Sequence, residues 1–427
     1  MQLRKALYGC VMSALLWYKL FAGTLQQMGF EINPYDTCIA NKTFNGKQCT
    51  IAWYVDNVKV SHAEKSVVES VIGAMNKRFG GLKPTIGDMH RYLGMDIKFN
   101  KDKTVTIGMQ QYVDKVIASF SEACPVTLST TSPARGNLFT VDTMSPKLGK
   151  DKAALFPHCV VKLLYVSKRC QLDILLAVSF LCTRVTGPTE EDWLKLKRLV
   201  RYLYGTKERT LTLGADNLAC MEVVVDASYA VHLDMKSHTG GCIVFSRGAL
   251  LAKSVKQRLN TTSSTESELV GTSNYVPSAI FTKHFLAKQG YVIKRATLHQ
   301  DNESTAKLIV NGRSSCGKRS RHVDIRYFFL KDRVEKGEFK VNYCPTEKMI
   351  ADFFTKPLQE AQFKRLSAVV MGEISYKAFM DTVDPAPKER VGESRSADPH
   401  GIGKKSHMPP VKDSGAERAS KRQSKSA

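Results

Sequence analysis

Four carboxylates stand where the sequence changes pattern. Asp226 closes the β-branched run at 221–225, and Asp301 follows the strand-like stretch at 296–300. Glu268 lies on a helix that opens after Ser263-Ser264-Thr265, with Glu266 beside it, and Asp352 stands near a helix start within 351–356. In an open α/β sheet, strand ends and helix starts are where ligand groups converge. Carboxylates gathered there repel one another unless divalent cations neutralise them. Hard, oxygen-seeking Mg²⁺ is the natural partner, with Mn²⁺ the alternative. Two such ions ~4 Å apart can hold a scissile phosphate, one activating water and the other stabilising the leaving oxygen. Taken singly, each acid reads more readily as an ordinary solvated carboxylate. Two of them ending apolar strands weighs against that reading.

Charge points to the same kind of substrate. The chain has 63 Lys and Arg against 40 Asp and Glu, a formal net charge of +23 over 427 residues. Basic surface near phosphates releases condensed counterions on binding, so a polyanionic partner is expected. Arg313, Lys318, Arg319, Arg321 and Arg326, followed by Lys331 and Arg333, cluster between Asp301 and Asp352. They read either as a phosphate track or as a solvated helix face. The 11 cysteines are scattered and form no C-x-x-C pair, which argues against a zinc ribbon or redox motif. Reduced thiols, no secretory opening and no apolar run of about 18 residues predict a cytoplasmic or nuclear protein, not secreted and with no membrane partner.

The elements that must position these groups fall into four stretches. Residues 1–100 alternate helix and strand: Trp17, Leu20, Phe21, Leu25 and Met28 recur at helical spacing before Gly29, and 67–79 repeats the pattern before Gly80-Gly81. Residues 50–55 and 58–60 read as strands around a turn at Asp56-Asn57, and 92–97 and 105–107 as another strand pair. Residues 101–215 are mainly helical, with a Ser-, Thr-, Pro- and Gly-rich linker near 127–152 and helices around 163–183 and 190–204. Residues 216–365 return to strands, then helix, a further strand and more helix, an α/β pattern with a mixed sheet. Residues 366–427 form a basic tail that loses apolar residues beyond about 380 and is expected to be disordered. The whole is a multi-domain α+β chain.

The local strings of the third stretch resemble the RNase H domain of copia-type (Ty1/copia) retrotransposons. Val225-Asp226-Ala227-Ser228-Tyr229-Ala230 resembles its opening, and Ser237-His238-Thr239-Gly240-Gly241 its K-S-T-S-G. Ser263-Ser264-Thr265-Glu266-Ser267-Glu268-Leu269 is similar to S-S-T-E-A-E-Y, and Asp301-Asn302-Glu303-Ser304-Thr305-Ala306 to D-N-x-x-A. Residues 319–329, Tyr343-Cys344-Pro345-Thr346 and residues 351–358 follow R-S-K-H-I-D-I-R-Y-H-F, Y-x-P-T and A-D-x-x-T-K-x-L in order. The resemblance implies an RNase H-like mixed sheet with helices, cleavage of RNA in an RNA–DNA hybrid, and Asp226, Glu268, Asp301 and Asp352 as ligands of two Mg²⁺. It favours Glu268 over Glu266, because across RNase H enzymes the helix glutamate precedes an apolar residue, as Glu268 precedes Leu269. Glu266 then reads as a dipole-favoured cap.

The first stretch resembles the back half of the same family's reverse transcriptase, a partial palm followed by a helical, connection-like region. Residues 3–9 match L-x-K-A-L-Y-G, Trp17-Tyr18 follows, and Tyr54-Val55-Asp56-Asn57 stands in the place of Y-V-D-D. Residues 193–206 match W-x-x-x-K-R-I-L-R-Y-L-K-G-T. The departures are chemical. The chain opens at the L-Y-G motif, so the fingers and the strand bearing the first palm aspartate are expected to be absent. Asn57 replaces the second aspartate of the turn, and residues 10–16 lack the family's Lys, Gln and Arg. Only Asp56 remains as a palm metal ligand, which predicts that DNA synthesis is lost. The alternative to a working ribonuclease is a catalytically inert transposon relic that only binds nucleic acid.

Overall fold

The computed structural model describes residues 9–311 and 321–382. Helix α1 (Val11–Gln27) leads into an antiparallel sheet of β1 (Glu31–Ile32), β2 (Ile39–Phe44), β3 (Lys47–Tyr54) and β4 (Asn57–Ser61), in that order across the sheet. Helix α2 (Lys65–Phe79) follows. Alternation along β3 buries Cys49, Ile51 and Trp53 in a core shared with Phe21 and Leu25 of α1 and Val71 and Met75 of α2. The turn expected at Asp56-Asn57 sits one residue earlier. Tyr54 pairs with Asn57, so Val55 and Asp56 form the turn and Asn57 opens β4. Val55 has φ +55°, which a β-branched residue adopts only under constraint. The indole of Trp17 donates to its carbonyl at 2.6 Å.

Strands β5 (Met89–Tyr92), β6 (Met95–Phe99) and β7 (Val105–Gly108) come next. Residues 92–97, read from sequence as one strand, break at Leu93-Gly94. Both residues have positive φ (52° and 76°), the signature of a tight hairpin turn. Helix α3 (Gln110–Ser121) precedes the expected linker, which forms no helix or strand before residue 150 but is not a free spacer. Ala134, Leu138 and Leu148 pack it into the core, and α4 (Lys150–Ser167) starts inside it. The single helix expected over 163–183 is two, α4 and α5 (Leu175–Cys182), separated by a turn. Helix α6 (Glu190–Thr206) opens with a capping box between Thr189 and Asp192. Strand β8 (Leu211–Ala215) closes this stretch.

The third stretch holds β9 (Cys220–Ser228), β10 (His238–Val244), β11 (Ser246–Arg247), β12 (Ala249–Lys256), α7 (Ser264–Lys288), β13 (Arg295–Gln300), α8 (Glu303–Asn311), α9 (Arg321–Glu335) and β14 (Lys340–Tyr343). A 3-10 turn (Ile350–Phe354) then precedes α10 (Glu360–Val370) and α11 (Tyr376–Asp381). The mixed sheet runs β12-β10-β9-β13-β14, antiparallel from β12 to β9 and parallel from β9 to β14. A second sheet, β11-β8-β7-β6-β5, crosses the boundaries expected near residues 100 and 215. The ordered fold also passes the boundary expected at 365. Val369, Val370, Tyr376 and Phe379 are buried at helical spacing, and the packed unit ends at Thr382. The rest of the expected tail, from residue 383, lies outside the described residues. No described helix is long and apolar enough to cross a membrane.

Strand β9 is buried on both faces, which explains its continuous apolar run. Met221, Val223 and Val225 join the core beneath α7, whereas Val224 joins the core of α4, α5, α6 and the 3-10 turn. The two faces close down on the Gly240-Gly241 pair of β10. A Cβ on Gly240 would lie 2.6 Å from Thr355 Cγ2 and 2.7 Å from Phe354 Cβ. One on Gly241 would lie 2.8 Å from the Tyr275 ring. The missing side chains therefore let the 3-10 turn and α7 touch the sheet from opposite sides. Gly240→Ala is expected to cost about 1–3 kcal/mol through this clash. Gly73→Ala, in an exposed stretch of α2 with nothing within 4 Å, is expected to be neutral or to stabilise by up to about 1 kcal/mol. Thermal unfolding of the two variants checks this; a Gly240→Ala midpoint at or above the parent's would contradict the close approach.

Candidate functional site

Alternation along β9 sends Asp226 out of the same face as Val224, toward the 3-10 turn. Asp226 lies two residues inside the strand rather than at its end, opposite Gly240. Because Gly240 admits the turn, the Thr355 hydroxyl donates directly to Asp226 Oδ2. Ser228 anchors the same turn by donating to the Thr355 carbonyl at 3.1 Å. Ser254 of β12 donates to the Phe354 carbonyl at 2.8 Å.

Glu268 sits on the second turn of α7, and Asp301 follows the last residue of β13. Ligand oxygens of Asp226, Glu268 and Asp301 all lie within 4.8 Å of one another. Among the described residues, no other three His, Cys, Asp or Glu side chains meet so closely. The Ala227 amide donates to Glu268 Oε1 at 3.0 Å, tying helix to strand beside Asp226. Glu266 turns the other way. Its carboxylate accepts from the Thr262 amide at 2.7 Å and the Thr262 hydroxyl at 2.6 Å, while Ser263 caps the helix through the Glu266 amide. The neighbouring glutamates thus divide between the carboxylate cluster and the cap.

Asp352 lies beside this trio, linked through a lysine. It falls within the 3-10 turn, not at the start of an α-helix; α10 begins only at Glu360. The Lys356 ammonium is 2.7 Å from Asp352 Oδ1 and 3.8 Å from Asp226 Oδ1. Sequence reading also passed over Gln300, which is fully buried behind the cluster. Its amide nitrogen donates to Thr272 at 3.1 Å and Glu268 at 3.4 Å, and its carbonyl oxygen accepts from the Asp301 amide at 2.9 Å. The only signals were their places next to Asp301 and within the Thr355-Lys356 pair.

The electrostatics record the crowding. Burial, then the charges of Asp226 and Asp301, hold Glu268 well above the carboxylate range. Burial and then Asp226 push Asp352 up to about 7, against the pull of Lys356. Asp301 is raised by burial and Asp226. Burial works against the charge of Lys356, but Asp226 and Asp352 outweigh it and hold its proton more tightly. A buried set of oxygen donors that resists ionisation in the absence of counter-charge is the donor chemistry a hard divalent cation satisfies.

The other expected site residues lie apart from this set. Asp56 is exposed at the hairpin turn, and the Asn57 amide donates to its Oδ1 at 3.2 Å. Arg313, Lys318 and Arg319 lie outside the described residues, as does the side chain of Arg321. Arg326 is half-buried on α9. Further along, Lys331 pairs with Glu335 at 3.1 Å and Arg333 with Glu338 at 3.0 Å, which neutralises part of the expected basic face.

Residues 1–131 match a protein family described as reverse transcriptase (RNA-dependent DNA polymerase). Over 376 residues, 86% of its length, the chain is 26% identical to the retrovirus-related Pol polyprotein from transposon TNT 1-94 of Nicotiana tabacum, covering 28% of that protein. Over 381 residues, also 86%, it is 24% identical to the transposon Ty1-ER2 Gag-Pol polyprotein of Saccharomyces cerevisiae, covering 21% of it. The chain thus spans about a quarter of the length of these relatives. A crystal structure of the prototype foamy virus protease–reverse transcriptase aligns with 84% of this chain and 40% of its own, at 11% identity and a TM-score of 0.23, too slight a likeness to compare folds. The likeness to the transposon polyproteins runs through both the segment at residues 1–131, which matches the reverse transcriptase family, and the mixed-sheet region, so the chain is a distant homologue of the Ty1/copia retrotransposon Gag-Pol polyproteins.

Proposed function

We propose that the mixed-sheet region is a Mg²⁺-dependent ribonuclease H that cuts the RNA strand of RNA–DNA hybrids, joined to a polymerase segment that does not synthesise DNA. The observation that carries the reading is the approach of three carboxylates, the buried Asp226 and Glu268 and the half-buried Asp301, to within 4.8 Å at the centre of a mixed sheet. The order of the surrounding strings, similar to the copia-type RNase H domain, supports it. Asp226, Glu268 and Asp301 would hold the cations, with Asp352 completing the set. Bound Mg²⁺ supplies Lewis acidity toward the scissile phosphate and a water made easier to deprotonate. Thr355 orients the Asp226 carboxylate, and Gln300 and the Ala227 amide orient Glu268. Lys356 offers a fixed positive charge beside Asp226 and Asp352, where the negative charge of a phosphate would otherwise be repelled.

Incubating the full chain with an end-labelled RNA–DNA hybrid and Mg²⁺ is expected to yield RNA fragments, and Asp226→Asn or Asp301→Asn to slow cleavage on the order of a hundredfold or more. Equal rates in parent and variants would refute the assignment. Binding without cleavage would select the inert relic.

The perturbed carboxylates set a pH dependence for cation binding. Lowering the pH from about 8 to about 6 adds protons to Asp352, which burial and Asp226 push up to about 7. Protons and cations compete for the same oxygens. Saturating Mg²⁺ is therefore expected to raise the unfolding temperature more near pH 8 than near pH 6. Asp226→Asn should lose most of that increment; a shift of the same size at both pH values would count against metal binding here.

The polymerase half of the proposal rests on Asp56. It stands exposed beside the amide of Asn57, and metal-assisted nucleotidyl transfer needs at least two well-placed carboxylates. On poly(rA)/oligo(dT) with Mg²⁺ the chain is expected to add no nucleotide, and robust incorporation would overturn this half.

A further inference from the structure

Helix α6 presents Glu191, Lys195, Arg198 and Arg201 along one side, with Lys197 beside them, to the irregular segment that follows α3. Between them lies a cavity of about 300 Å³, floored by Ala177 and Leu181 of α5 and walled opposite by Arg135 and Leu138. Five basic side chains and one carboxylate line it. The carboxylate, Glu191, is already engaged by Lys195 at 2.9 Å and the Asp142 amide at 2.7 Å. Arg135, Lys197, Arg198 and Arg201 make no ion pair with a carboxylate among the described residues. Burial, then the like charges of Arg135 and Arg201, lower the proton affinity of Arg198. The Arg198 Nε is buried without a hydrogen-bond partner, while its Nη2 donates to Ser132 at 3.0 Å. Guanidinium groups crowded without counter-charge around a cavity are matched by a phosphate, which takes two parallel N–H bonds from each fork.

The cavity is tied to the acidic centre. The Ser132 hydroxyl lies 3.3 Å from Gln359 Oε1, and the Gln359 amide nitrogen donates to the carbonyls of Ala134, Pro357 and Leu358, directly after Lys356. A second cavity of about 340 Å³ is lined by Gly136, Phe139, Thr140, Ser228, Thr355 and Lys356. Residues 135–140 thus contribute to the walls of both.

We propose that the Arg135–Arg198–Arg201 cavity seats backbone phosphates of the nucleic-acid strand whose neighbouring linkage lies at the Asp226 centre. The proposal rests on the ribonuclease reading for the direction of the strand, but its chemistry is that of a phosphodiester site in its own right. A polyanionic strand is the ligand that joins an acidic, metal-seeking centre to a cationic cavity along a shared wall.

The test is fluorescence anisotropy of a labelled RNA–DNA hybrid with the full chain in EDTA, between about 50 and 200 mM salt. Two multiple variants are compared, R135Q/R198Q/R201Q and, to spare the Ser132 contact, R135Q/K197Q/R201Q. K101Q/K103Q, in an exposed turn, serves as control. Each lost phosphate contact is expected to reduce the salt slope by about 0.9, so the cavity variants should lose about 2–3 from the slope while the control keeps it. Affinity should fall about tenfold or more at the lower salt concentrations. Inorganic phosphate should compete only far above the hybrid's concentration. Parent-like slope and affinity in the R135Q/K197Q/R201Q variant, or loss of inorganic phosphate binding alone, overturns the proposal. The parent's cleavage activity separates the two readings: no cleavage with loss of variant affinity removes the ribonuclease and keeps the cavity, whereas cleavage with unchanged variant binding removes only the cavity.

Discussion

The structure turns on a carboxylate placed inside a strand that is apolar on both faces. Asp226 is almost wholly buried, and a charge there is costly unless other groups meet it. Thr355 and Lys356 meet it from the 3-10 turn, and they reach it because Gly240 has no side chain to hold them off. On the other side Glu268 and Asp301 approach, which multiplies the repulsion instead of relieving it. The fold thus gathers more negative charge than its own lysine balances. That excess is the physical basis for reading the site as one built around cations.

The same imbalance appears in reverse elsewhere. The cavity between helix α6 and residues 130–138 is lined by five basic side chains and one carboxylate, Glu191, which pairs with Lys195. A chain with a net charge of +23 does not need its basic residues in a cavity to stay soluble. Concentrating them around an orphaned Arg198 Nε, on a wall shared with the acidic centre, couples the two regions in space although their residues lie far apart in the chain. The hairpin of β3 and β4 contributes differently. The Trp17 indole holds the carbonyl of Val55, whose φ is positive, and so fixes the turn that presents Asp56 beside the Asn57 amide.

Much of the local structure was legible. The amphipathic spacing of α2 and α6, the capping signal at Thr189 and the strand character of β9, β10, β12 and β13 follow from period and turn chemistry. The misreadings have particular causes. Residues 92–97 looked like one strand because Leu93 is apolar, yet it adopts positive φ beside Gly94. Residues 127–152 looked like a linker because Ser, Thr, Pro and Gly dominate, yet Ala134, Leu138 and Leu148 are enough to bind the segment to the core. Domain boundaries drawn where composition changes cut through a sheet whose strands come from three stretches.

By itself the sequence determined which residues carry charge, which stretches have strand or helix character, and that Glu266 and Glu268 compete for one place. The resemblance favoured Glu268, but residue pattern alone did not place it beside Asp226; in the fold the Ala227 amide holds Glu268 there while Thr262 holds Glu266 at the cap. Nor could the sequence show that Lys356 bridges Asp226 and Asp352, that Gln300 backs the cluster, or that Arg135 faces Arg198. Apart from the local Lys356–Asp352 pair, those pairings join residues from about thirty to more than a hundred positions apart. They are set by the packing of whole elements, which no local pattern of residues encodes.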